Sequence, residues 1–230
     1  MHATRIWALP LIAGLAPALG IAAAYGLSIA DGFVPSCNPF VDGCVSISRA
    51  ARQGLANHVF RALLLPAAAL QALTWLLCVV WLRRLGATGR SLAWISWLGA
   101  LAAVFVVLYG TFLGTEGVAY RWMRRYGIIV YFGCTYLCML IAAAHIRTRV
   151  RSHGLRVPAR LDVVLVALLA ATLVMGLGNV FVAPVFGDPD LKNRVENVLE
   201  WYASLAFTLF FCALAWLWQH TSLSASLQVK

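Results

Sequence analysis

Residues 59–82 read VFRALLLPAAALQALTWLLCVVWL, and this stretch decides the fold class. After Arg61 it carries no charge at all. At 1.5 Å of rise per residue, about 20 apolar helical residues cross a ~30 Å hydrocarbon core. Five more runs of the same kind lie at 6–30, 91–113, 127–146, 162–186 and 195–219. The 230-residue chain is 62% apolar and only 11% charged, with a mean hydropathy of +0.84. A water-soluble domain carries about 25% charged residues, so a soluble fold is excluded. The expected fold is all-α: a polytopic membrane protein built as one six-transmembrane-helix bundle with short loops over 1–230. Loops this short leave no room for a separate soluble domain. The first apolar run covers 25 residues, whereas a signal-peptide core covers about 7 to 15. It is therefore expected to be an uncleaved first span.

Lys and Arg number 18 against eight acids, a net charge of +10, and all the basic residues except Lys192 and Lys230 are Arg. No domain is present to carry a basic stripe, so no nucleic-acid partner is expected. Basic residues that flank spans instead meet anionic headgroups. Alternate loops divide the bases ten to eight, the larger share including Arg5, Arg83, Arg84, Arg90, Arg147 and Lys230. Seven of the eight acids fall on the other side, and only Asp162 shares the more basic one. The basic face is expected to be cytoplasmic, with both termini there. The preference for Arg over Lys points to a GC-rich bacterial genome and hence to a multi-pass protein of the inner cell membrane.

The opposite face gathers acids, bases, a histidine and hydroxyls at the ends of four spans. In the last span Asn193, Glu196, Asn197 and Glu200 recur at i, i+3, i+4 and i+7, which sets them on one helical face. Glu200 lies one to two turns inside the apolar run, so it must be neutral, paired or facing water. It is read either as a site residue or as a structural partner of Arg61, Arg121 or Arg125. Glu196, nearer the end, suits the helix dipole. The connection 114–126, GTEGVAYRWMRRY, holds Glu116 and two arginines four apart, Arg121 and Arg125. On one helical face that pair would clamp a phosphate or carboxylate. The aromatic residues among them also suit an interfacial belt.

His58 and Arg61 share a face at the entry to the second span, and His58 is a candidate general base or metal ligand, although no H-x-x-x-H or H-E-x-x-H spacing accompanies it. Gln71 and Asn179 are polar residues inside spans, suited to interhelical hydrogen bonds. Cys37 and Cys44 lie in the longest polar loop, where an oxidising compartment favours a disulfide. Their spacing is not the C-x-x-C of thiol oxidoreductases. P-loop, G-x-S-x-G and zinc-ligand patterns are missing, as are paired mid-membrane histidines. No metal and no cofactor is expected.

Three segments carry a family resemblance: CNPFVDGCVSISRAAR (37–52), TEGVAYRWMRRYGIIVYFG (115–133) and NRVENVLEWYASLAFTLFFCALAWLWQH (193–220). Together they resemble the six-span DRAM-like family. That family includes autophagy modulators, a Golgi factor that remodels the lipid of GPI anchors, and the N-terminal domain of a yeast cell-wall protein. In its terms Cys44 or Cys37, Ser46, Ser48, Ala50 and Arg61 match the first loop, Glu116 the acid after the third span, and Glu200-Trp201 the last span. The family's first-loop proline is missing where Gly43-Cys44-Val45 stands. A histidine after the third-span acid is missing as well, with Arg121 and Met123 nearby. The resemblance implies membrane lipids as partners.

The leading expectation is a protein that binds, sorts or remodels a membrane lipid at a polar pocket on its non-cytoplasmic side. Glu200, Glu116 and His58 would supply acid–base chemistry, while Arg61, Arg121 and Arg125 would hold the headgroup. Two alternatives stand beside it. One is a non-catalytic scaffold or assembly factor; the other is a periplasmic thiol oxidoreductase using Cys37 and Cys44.

Overall fold

In a bilayer every backbone N–H and C=O must find a partner within the chain, which leaves long helices as the solution for these apolar runs. The computed structural model describes the backbone of residues 4–152, 159–185, 188–221 and 224–225, and the side chains of 6–148, 161–178 and 188–221. The described residues form six long helices: α1 (Ala8–Ala30), α3 (Gly54–Arg84), α4 (Ser91–Thr111), α5 (Val118–Ser152), α6 (Ala159–Val185) and α7 (Pro189–His220). Each contains a stretch long and apolar enough to cross a membrane. A seventh, single-turn helix, α2 (Ile47–Ala50), sits in the first loop. Thr4–Arg5 pairs antiparallel with Ser224–Ala225, which brings the two chain ends together at one end of the bundle.

Several helices outrun the apolar segments that announce them. The run at 127–146 is the middle of a 35-residue α5, about 52 Å long at 1.5 Å per residue, so its polar ends project beyond the hydrocarbon. α3 likewise begins before residue 59, and α7 before 195. Hydropathy marks where a helix meets lipid, and hydrogen bonding continues past that boundary.

Around the bundle, α1 packs on α3 and α7, α3 on α4, α4 on α5, and α6 on α7, while α5 and α6 touch lightly. Small residues allow close approach. A Cβ on Gly14 would stand 2.6 Å from Phe211 of α7, and one on Gly99 2.6 Å from Trp75 of α3. Trp75 in turn packs against Phe210 and Phe211. Tyr131 and Phe132 of α5 reach Phe207 of α7 across the interior.

One of the buried polar residues of α3, Gln71, has a local cause. Pro17 inside α1 has no N–H, which leaves the carbonyl of Ala13, four residues earlier, without its helical donor. Gln71 Nε2 donates to that carbonyl at 3.0 Å, and Tyr131 Oη donates to Gln71 Oε1 at 3.1 Å. Three helices are thereby joined in the middle of the membrane. The side chain of Asn179 lies outside those described.

Candidate functional site

The end of the bundle opposite the paired termini holds the first loop, the α4–α5 turn and the start of α7. Residues 31–53 fold onto the helix ends instead of extending into solvent. Val34, Val45, Ile47 and Ala50 are buried there, and Cys37 is disulfide-bonded to Cys44. α1 holds the loop through Tyr25 Oη, which donates to the Cys37 carbonyl at 2.7 Å, and through Ser28 Oγ, which donates to the Ala50 carbonyl at 2.5 Å.

α7 holds the same loop with one face. Asn197 Nδ2 donates to the Gly43 carbonyl at 2.7 Å, and Trp201 Nε1 to the Val45 carbonyl at 2.9 Å. Glu200, between them, faces the backbone N–H groups of Ile47 and Ser48, which favour its charge. The Trp201 ring meets Tyr25 and Phe40 edge to face. Among the described residues Glu200 has no salt bridge to Arg61, Arg121 or Arg125. A structural role in pairing with those arginines is therefore replaced by a clamp on backbone donors. Glu196 lies 3.7 Å from Lys192, one turn earlier on the same helix.

Beside this clamp a cavity of about 600 Å³ opens at the rim. Arg52 and Gln53 line it from the end of the first loop, Gly114, Thr115, Glu116 and Gly117 from the α4–α5 turn, and Arg121 and Arg124 from α5. The turn is shaped by its two glycines, with φ of +89° at Gly114 and +124° at Gly117. L-residues avoid that region, so the pair brackets Thr115-Glu116 and holds it out to the pocket. Gly114 is further constrained by the Arg52 carbonyl, which would stand 2.7 Å from an added Cβ. Asn57 secures this junction from beneath, donating to the carbonyls of Ala51 at 2.9 Å and Leu113 at 3.1 Å.

Arg124 has a second task. Its Nη1 donates to the Phe112 carbonyl at 3.1 Å and to the Thr115 carbonyl, so it caps the C-terminal end of α4. The remaining N–H groups of its fork are left for the pocket. Arg52 and Arg121 both lie within electrostatic range of Arg124. Tyr109, 4% exposed beneath them, feels the charges of Glu200, Arg52 and Arg124. Among the described residues no carboxylate forms a salt bridge with any of the three arginines.

Of the residues the sequence singles out, the structure brings Glu116 and Arg121 together in this cavity. Glu200 is a neighbour on the clamp side. His58 and Arg125 are exposed and Arg61 is half-buried, and none of the three lines the cavity. Arg52 and Arg124 take part without having been singled out. Arg124 is legible in retrospect, because it precedes the buried Gly127 by three residues and the buried Tyr131 by seven, on the inward seam of α5, where Gly127 abuts Phe105 and Tyr109 of α4. Arg125 is one step off that seam. Arg52 gives no such signal, since its place depends on a long-range meeting with Gly114.

Six membrane-spanning helices with a polar pocket at one rim define an integral membrane protein of the multi-pass helical class. Residues 5–221 match the family described as Frag1/DRAM/Sfk1/Cwh43P N-terminal domain, and the chain belongs to that family. Neither a curated protein nor a solved structure matches the chain.

Proposed function

We propose that this protein binds the phosphate-bearing headgroup of a membrane lipid in the rim pocket. One observation carries the reading: Arg52, Arg121 and Arg124 converge from two chain segments on a cavity of about 600 Å³ without a salt-bridged carboxylate among the described residues. Clustered guanidinium groups repel each other unless an anion joins them, and their planar forks suit phosphate oxygens. The level of the pocket supports a lipid as the source of that phosphate. Tyr120, Trp122 and Tyr126 are exposed on the same first turns of α5, as residues at a headgroup boundary are. Sorting follows from such binding. For remodelling, Glu116 is the lining acid with acid–base capacity.

We also infer that this rim faces away from the cytoplasm. The acids and the disulfide loop lie on this side, and the more basic loops on the other. The Arg-rich composition supports a bacterial inner membrane. A scaffold or assembly role is the second reading. It is favoured by the α7 face, where Asn197 and Trp201 bond to the protein's own backbone and Glu200 faces backbone N–H groups of the same loop.

Native mass spectrometry of the protein released from lipid nanodiscs tests the lipid reading. Hydrogen bonds to charged groups contribute roughly 1.5 to 3 kcal/mol each, so the Arg52→Ala/Arg121→Ala double variant should retain at least about tenfold less phospholipid. Arg125→Ala should retain as much as the parent protein. Equal retention by the double variant and the parent would overturn the reading.

A further inference from the structure

We infer that the rim pocket selects a phospholipid whose headgroup pairs its phosphate with a primary ammonium, as ethanolamine does. The inference rests on the lipid-binding reading and adds the chemistry of the second half of the headgroup. The cavity is lined by three guanidinium groups and by one carboxylate, Glu116. Like the arginines, that carboxylate has no salt bridge among the described residues. The glycines on either side of Thr115-Glu116 hold it at the pocket.

A purely anionic headgroup would satisfy the arginines and leave Glu116 facing further negative charge. A zwitterion meets both signs at once, phosphate toward Arg52 and Arg121, and ammonium toward Glu116. A primary ammonium also has three N–H donors, which the Glu116 carboxylate can accept. A quaternary ammonium has none, and its usual receptor is a cage of aromatic faces. The described residues that line this cavity include no aromatic side chain, and Tyr120, beside Gly117, has its ring stacked on Phe112. Both absences favour the primary amine over the choline form.

The test uses the full chain in neutral detergent. It is titrated separately with short-chain phosphatidylethanolamine, phosphatidylcholine and phosphatidylglycerol, and with soluble glycerophosphoethanolamine, with binding read by native mass spectrometry. The parent protein should bind the ethanolamine lipid about tenfold more tightly than the choline lipid, a preference of about 1.4 kcal/mol. Glu116→Gln should reduce that preference to about twofold or less while strengthening phosphatidylglycerol binding, and Glu116→Lys should favour phosphatidylglycerol outright. Equal affinity of the parent protein for ethanolamine and choline lipids, or an unchanged preference in Glu116→Gln, would overturn the inference and leave phosphate binding standing. Failure to bind any of the three lipids would instead sink the lipid reading itself. Glycerophosphoethanolamine binding as tightly as the lipid would assign the site to a free phosphoester.

Discussion

Asn197, Glu200 and Trp201 on α7 and Arg52, Arg121 and Arg124 around the rim pocket lie at the same end of the bundle, yet they differ in what they bond to. On α7 each polar group meets backbone of the first loop: the carbonyls of Gly43 and Val45, and the N–H groups of Ile47 and Ser48. Around the pocket only Arg124 is engaged with the backbone, and no carboxylate is salt-bridged to the three cations among the described residues. A buried polar group satisfied by its own chain stabilises a fold. A group of three like charges beside a single carboxylate, none of them salt-bridged among the described residues, is complementary to something outside the chain. The contrast teaches that charge inside or beside a membrane span is not by itself a sign of a site, and that the partner decides.

If that contrast holds, the largest stability effect belongs to the clamp. Trp201 is 6% exposed and meets two aromatic rings besides the Val45 carbonyl. Trp201→Ala should cost about 3 to 5 kcal/mol, read as a lowered Tm in detergent. A Tm unchanged from the parent would break the assignment of this face to structure. Next in size is the Cys37–Cys44 bond, which closes a loop of sequence separation 7. Loop-closure entropy for so short a ring amounts to roughly 2 kcal/mol. The Cys37→Ser/Cys44→Ser variant should lose about that much stability while its helical circular dichroism is kept, and a redox-active pair would instead show exchange with added thiols.

The smallest effect sharpens the comparison on the pocket side. Arg124→Ala frees two carbonyls at a rim that water reaches, so solvent replaces much of what is lost and stability should fall by about 1 kcal/mol, besides the weakening of lipid retention. Arg125→Ala, one residue along and exposed, should leave Tm and retention at parent values. Identical behaviour of the two variants would mean that the helical seam does not set which arginine serves the pocket.

Some of the site can be read directly from residues. Glu116 between two glycines and Arg121 at the start of a helix stand out in the chain, and both line the cavity. Glu200 stands out too, since a carboxylate inside an apolar run demands a partner. Its partners are peptide N–H groups of a loop some 150 residues earlier, and no side-chain pattern announces them. His58 draws attention as the only histidine on that side, yet its neighbour Asn57 is the buried group tying the first loop to the end of α4. Gln71 is recognisable as interhelical glue, whereas its acceptor, the Ala13 carbonyl, is identified only once Pro17 is seen to leave it without a donor.

By itself the amino-acid sequence determined the six spans, because transfer of a segment into hydrocarbon is a sum over neighbouring residues and needs no knowledge of the rest of the chain. Only the tertiary structure decided which charges are satisfied and which stand open. Pairing depends on which loop ends meet, and the meeting of Arg52 with Gly114, or of Glu200 with Ile47, is fixed by helix packing across long stretches of intervening sequence.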